Sequence, residues 1–193
     1  MILQPNPIAT QPKAAFSPRS FLLTGLSGAG KTSLAARAQK CLQKELDLII
    51  LDGDELRKGL TSDLGFTPRD RQENIRRCGE MAKLLAQQNK ITLLSVIAPY
   101  ESLRRVLMNI LGPNLLRIIH INCPLEVCIS RDPKRNYQKA LGGALPNYTG
   151  LSDVYEEPRA PHLVIHTHQS PQEECAQTLI NYIRKEVFGS HSR

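Results

Sequence analysis

Gly25-Leu26-Ser27-Gly28-Ala29-Gly30-Lys31-Thr32 fits the pattern G-x-x-x-x-G-K-[ST], and its setting matches as well as its letters. The apolar run Phe21-Leu22-Leu23 precedes it and reads as a buried strand. Ser33 to Leu46, rich in Ala, Leu, Lys and Gln, follows and reads as a helix. Glycines let the backbone turn tightly and bring its N–H groups inward around phosphate oxygens. The helix start adds unpaired N–H donors and the positive end of its dipole. In such a loop Lys31 reaches the β- and γ-phosphates, while the Thr32 hydroxyl is placed to ligate Mg²⁺. A glycine-rich turn with no ligand is the plainer alternative, but it does not require this lysine and threonine in this order. A nucleoside triphosphate is the expected ligand.

The 193 residues suit one domain with a substantial core, and 41% hydrophobic content is that of a globular chain. No apolar run is long enough to span a membrane, and the N-terminus lacks the basic-then-apolar order of a secretory signal. Five scattered cysteines, with no C-x-x-C, argue against a disulfide framework or a zinc site and for reduced thiols in a cytoplasm. A net charge of +7 suits an anionic partner without selecting nucleic acid over a small phosphorylated molecule.

Outward from the glycine-rich loop, Met1 to Ser20 holds four prolines among small and polar residues and reads as a flexible tail. Leu48-Ile49-Ile50-Leu51 is a second buried strand, and a helix between two such strands implies a right-handed βαβ unit with a parallel sheet. That strand ends in Asp52-Gly53-Asp54, where carboxylates sit beside the nucleotide crevice of an open sheet. Asp54 is suited to hold Mg²⁺ through water or to take a proton from an attacking hydroxyl; a turn and helix cap would use an aspartate there equally well. Arg57, one turn on, can reach an anion in the same crevice.

Thr67-Pro68 reads as an N-cap with proline at the first helical position. The helix should run to about Gln88, with Ile75, Met81, Leu84 and Leu85 on the core side. Arg71 and Asn74 share a face near its start. Beside Phe66 they can hold a planar base and its phosphate, although such a charged face is more often merely solvated. Further strands are expected at Ile91–Ile97, Leu115–Ile121 and Leu163–Ile165. Helices are expected from Glu101 to a stop at Gly112-Pro113, after Pro124, and from a Ser170-Pro171-Gln172-Glu173 capping box to about Val187. Lys134 to Pro161 reads as a long irregular segment with the character of a functional lid. The expected architecture is therefore α/β: a P-loop NTPase-type three-layer fold, with a five-stranded parallel sheet, helices on both faces and a lid. It divides into a flexible tail (residues 1–20) and a kinase domain (21–188) whose lid covers about 132–161.

The chain resembles the adenylylsulfate (APS) kinase family from about Phe21 to Lys185. The resemblance rests on linked blocks: the glycine-rich loop, Leu51-Asp52-Gly53-Asp54, Asp63-Leu64-Gly65-Phe66 and Asp70-Arg71-x-Glu73-Asn74-Ile75-Arg76-Arg77. Further blocks are Pro99-Tyr100, Pro124-Leu125-Glu126-Val127-Cys128, Arg131-Asp132-Pro133-Lys134, Tyr148-Thr149-Gly150 and Tyr155-Glu156-x-Pro158. It implies transfer of the ATP γ-phosphoryl to the 3′-hydroxyl of APS, giving PAPS, with Mg²⁺ as cofactor and a homodimer as assembly. It also implies that Gly28, Ala29, Gly30, Lys31, Thr32 and Ser33 hold ATP phosphates and Mg²⁺, and that Arg131 and Thr167 meet the ATP base. Asp54 matches the acid that orients or deprotonates the acceptor hydroxyl. Arg57, Phe66, Arg71, Asn74, Ile97, Lys134, Asn147 and Tyr148 match residues on the APS side. Glu55, Ala98, Arg135-Asn136, Leu141 and Pro146-Asn147 depart from the family's usual Asn, Ser, Gly-Leu, Arg and Lys-Gly. Most of these departures fall in or near the lid. A kinase of another small alcohol or nucleoside, and a catalytically weak nucleotide-binding paralogue, stand as the alternatives.

Overall fold

In the computed structural model, which describes residues 19–189, alternating strands and helices build one parallel sheet. The strands are β1 (Ser20–Thr24), β2 (Leu48–Asp52), β3 (Ile91–Ser95), β4 (Leu116–Asn122) and β5 (Leu163–His166). The helices are α1 (Lys31–Leu42), α2 (Gly53–Leu56), α3 (Pro68–Gln87), α4 (Glu101–Leu115), α5 (Leu125–Arg131), α6 (Asn136–Leu141) and α7 (Gln172–Phe188). Strand order is β2-β3-β1-β4-β5, and every pairing is parallel.

Strand side chains alternate between faces, so β1 sends Phe21 and Leu23 to one core and Leu22 to the other. The first core is closed by α1 and α7 through Leu34, Ala38, Leu179 and Ile183, and the second by α3 and α4 through Ile75, Ala82, Leu103 and Leu107. Adjacent β1 and β3 therefore feed helices on opposite faces of the sheet. That divergence opens a crevice at their carboxyl ends, where α/β sheets bind ligands.

Several expectations shift in detail. The expected tail, residues 1–18, lies outside the described residues. Its last two expected members belong to the fold: Ser20 opens β1, and Arg19 donates to the carbonyls of Glu186 (2.8 Å) and Asn114 (2.5 Å). The third strand ends at Ser95, short of Ile97, because side chains take over the carbonyls beyond it. The Thr24 hydroxyl donates to Ile97 O and Arg104 to Ala98 O (2.8 Å), and Ala98 turns to φ 44°. Of the four side chains expected inward on α3, Ile75 is buried and Met81 and Leu85 pack partly buried against the core, but Leu84 is 59% exposed; the inner face is completed instead by Cys78, Gly79, Ala82 and Ala86, whose small side chains let α4 approach closely. The expected stop at Gly112 is a sharp break (φ 75°, ψ 166°) after which one more turn runs to Leu115. The Ser170 capping box does not form: α7 starts after Pro171 with no side-chain cap. The lid segment is not wholly irregular either, since the Asp132 carboxylate accepts from the Tyr137 and Gln138 amides (both 3.1 Å) and starts α6.

Candidate active site

The loop between β1 and α1 owes its shape to three glycines. A Cβ at Gly25 would lie 2.4 Å from the Ile121 carbonyl oxygen, and one at Gly28 (φ 76°) would lie 2.9 Å from that of Cys128. Gly30 takes φ 104° as the residue before α1, a conformation that side chains rarely adopt. Backbone oxygens cannot yield as side chains can, so the loop is held against β4 and α5 with its outer surface open. Lys31, 8% exposed, donates from Nζ to the carbonyls of Gly25 (2.9 Å) and Leu26 (2.8 Å). Burial pulls its pKa down from 10.5 to about 8, against the opposing pull of nearby anionic groups that include Asp52 and Asp54.

Behind the lysine, the Thr32 hydroxyl donates to Asp52 Oδ2 (2.7 Å) and lies 3.3 Å from the Ser95 hydroxyl. Three hard oxygen donors thus meet at the ends of β2 and β3, a set that fits Mg²⁺. Asp52 is only weakly marked in the sequence, as an aspartate closing an apolar strand, and Asp54 two residues later is the more conspicuous carboxylate. Asp52 is also the cap of α2, accepting from the Asp54 amide at 3.0 Å, which leaves the Asp54 side chain free for other partners.

Asp54 pairs with Lys134, from the segment after α5. Burial alone would lower the Lys134 pKa, but the hydrogen bond and charge of Asp54 outweigh it and raise it. Across the crevice, Arg57 donates to the carbonyls of Leu64 (2.9 Å) and Gly65 (3.1 Å) and stacks 4.2 Å above the centre of the Phe66 ring. Arg71 is not a solvated residue. At 7% exposure it donates from Nε to Phe66 O (3.1 Å) and from Nη2 to Asn147 O (2.7 Å), and Nη2 lies 3.4 Å from Asp153. Asn74 is equally buried, and its Oδ1 has no hydrogen-bond partner among the described residues; the same holds for the hydroxyls of Tyr148 and Thr149. Buried polar atoms are rarely left unpaired without a ligand or water to meet them.

At the other end, Arg131 donates to the Thr167 hydroxyl (3.2 Å) and carbonyl (2.7 Å), and Thr167 in turn donates to Ala29 O (2.8 Å). One cavity of about 1020 Å³ joins all these groups. Gly28, Gly30, Lys31, Thr32 and Ser33 line it, as do Asp54, Arg57, Phe66, Arg71, Asn74, Ile97, Arg131, Lys134, Asn147, Tyr148 and Thr167. Ala29 alone among the expected residues does not, being fully buried with its amide donated to Leu26 O (3.2 Å). Asp52, placed by the sequence beside the crevice but given no role there, lines it, as do Ser95, Thr149 and Asn136, which were not expected to. Nothing in their spacing marks the last three; the turn of the chain brings them in. No helix among the described residues is long and apolar enough to cross a membrane.

Residues 17–166 match the sequence model of the family described as "Adenylylsulphate kinase". The chain is 46% identical over 166 residues to an adenylyl-sulfate kinase of Halothermothrix orenii, covering 86% of this chain and 89% of that one. An adenylyl-sulfate kinase of Bacillus pumilus is 42% identical over 166 residues, 86% of this chain and 84% of its own. Among solved structures, the Mycobacterium tuberculosis APS kinase CysC in complex with AMPPNP and APS superimposes with a TM-score of 0.83. It is 34% identical, with 87% of this chain and 98% of that chain covered.

Proposed function

This chain belongs to the adenylylsulphate kinase family, and from that premise we propose how its cavity carries out transfer of the ATP γ-phosphoryl to the 3′-hydroxyl of APS, yielding PAPS for sulfate assimilation. The observation that supports this reading most is the single cleft. Its one wall is a phosphate loop, and its other is an aromatic–arginine–asparagine pocket in which Asn74 Oδ1 and the Tyr148 hydroxyl are buried without hydrogen-bond partners among the described residues.

In this reading the amides from Gly28 to Ser33 cradle the ATP phosphates, Lys31 neutralises charge on the group in transit, and Arg131 with Thr167 meets the base. Thr32, with Asp52 behind it, would hold Mg²⁺, which supplies charge compensation on the β- and γ-phosphates when bound. Phe66 presents a face for the APS adenine, and Arg57, Arg71, Asn74, Ile97, Asn147 and Tyr148 surround the sulfonucleotide. Asp54 orients or deprotonates the acceptor hydroxyl, and its ion pair with Lys134 holds that carboxylate in place. The segment from about 132 to 161 acts as the lid, excluding the water that would otherwise accept the phosphoryl group. The domain is taken as 21–188, a homodimer in the cytoplasm; the five free cysteines suit a reducing compartment.

A coupled ADP-release assay with APS and a panel of other small alcohols and nucleosides tests the substrate. ADP formation that depends on APS supports the reading. ADP formed with another acceptor but none with APS would move the activity to the wider group of P-loop kinases.

A further inference from the structure

Three walls of the acceptor pocket meet at one carboxylate that none of the roles above uses. Asp153 lies at the foot of a short loop that closes on itself. Tyr148 O accepts from the amides of Leu151, Ser152 and Asp153 (each 3.1 Å), Tyr148 N donates to the Ser152 hydroxyl (2.9 Å), and Gly150 N donates to Asp153 O (2.7 Å). That loop carries Tyr148 and Thr149 into the cavity. The Asp153 side chain reaches away from it in two directions. Both its oxygens lie 2.6 Å from the Tyr100 hydroxyl, which donates to them from the segment that also carries Ile97 and Ala98. Oδ2 also lies 3.4 Å from Arg71 Nη2 on α3.

Arg71 needs such a partner. Its guanidinium faces the Phe66 ring, as does that of the half-buried Arg57, the two carbons lying 5.7 and 4.2 Å from the ring centre, and the two like charges repel each other. The carbonyls of Phe66 and Asn147 accept hydrogen bonds from Arg71 but carry no compensating charge. Asp153 is the carboxylate in ion-pair contact with it. Nε and Nη2 are thereby engaged, which fixes the plane of the fork and leaves Nη1 without a hydrogen-bond partner among the described residues.

We propose that Asp153 is a positioning residue for the acceptor site: its carboxylate, steadied by the Tyr100 hydroxyl, holds the Arg71 guanidinium in the plane from which it grips the sulfonucleotide. The proposal rests on the reading of Arg71 as an APS contact. Asp153 touches neither substrate. Its effect should therefore appear in the affinity for one substrate alone and should vanish when Arg71 is gone.

The test is steady-state kinetics with both substrates on the full chain, alongside thermal unfolding, for Asp153→Asn, Asp153→Glu, Tyr100→Phe, Arg71→Ala and the Arg71→Ala/Asp153→Asn double variant. Asp153→Asn keeps the shape and removes the charge, so KM for APS should rise about tenfold, the scale of one charge-assisted hydrogen bond, with KM for ATP nearly unchanged. Asp153→Glu should recover most of that loss, and Tyr100→Phe should show a smaller rise on the APS side only. The double variant should be no worse than Arg71→Ala alone. Equal rises in both KM values with a lower melting point would make Asp153 a general prop and overturn the proposal. Losses that simply add in the double variant, or an unchanged KM for APS in Asp153→Asn while Arg71→Ala raises it, would overturn it too. If Arg71→Ala itself leaves KM for APS unchanged, the parent reading of Arg71 fails and takes this proposal with it.

Discussion

Lys31 shows how much of the chemistry is set by the surroundings of one side chain. Buried among loop carbonyls, with its pKa drawn down to about 8, it loses its proton far earlier than an exposed lysine would. In the free enzyme, kcat/KM for ATP should therefore fall about tenfold per pH unit above about pH 8, and a pH–rate profile reads this directly. Stability moves the other way. Between about pH 8 and 10.5 the unfolded chain holds this proton more tightly than the native one, so Lys31 makes the native state relatively more stable as pH rises. Other buried groups titrate in that range, so the quantity to measure is the wild-type unfolding free energy minus that of Lys31→Met, which should increase across the window. Lys31→Ala should lower turnover by at least about a hundredfold with a native-like circular dichroism spectrum, since the lost charge acts on the phosphates and not on the core. Asp52 supports a second prediction at this scale. Asp52→Ala takes away the acceptor of the Thr32 hydroxyl and should raise the Mg²⁺ concentration needed for half-maximal activity by about tenfold or more, read from a magnesium titration.

At the scale of elements, α3 is where sequence reasoning both succeeded and fell short. Its start was legible because the chemistry is local: Thr67 Oγ1 accepts from the Asp70 amide (3.2 Å) and Pro68 occupies the first turn. Its inward face was not fully legible, because Gly79 and Ala82 matter for what they leave out. Nothing within a single helix says that α4 will press against them. The same division explains Arg71 and Asn74. Their shared face followed from helical spacing, but the partners that hold Arg71 in its buried place, Asn147 and Asp153, lie more than seventy residues away. Thr67→Ala should lower stability by about 1 kcal/mol in chemical denaturation. Arg71 and Asn74 sit in the first two turns that Thr67 fixes, so KM for APS should rise more than KM for ATP.

The whole molecule explains why these pieces share one cavity. Five parallel strands in the order β2-β3-β1-β4-β5 place the phosphate loop after β1 beside the Val96–Ala98 segment after β3. Asp52 and Asp54 enter from β2, and the segment after α5 brings Lys134 to pair with Asp54. The strand order followed only in part from the chain, since apolar runs announce strands but not their neighbours. The resemblance to a kinase family supplied what spacing alone left open at Asp54, Phe66, Arg71 and Asn74. The central claim is that the two halves of the cleft meet closely enough for an acceptor hydroxyl to attack the terminal phosphorus. It is tested most directly by following ATP labelled in its γ-phosphoryl group through a single incubation with APS. The account predicts the label on the ribose 3′-oxygen of the sulfonucleotide, with one ADP formed for each labelled product. Label released as inorganic phosphate at the same rate with or without APS, while the sulfonucleotide stays unlabelled, would contradict it.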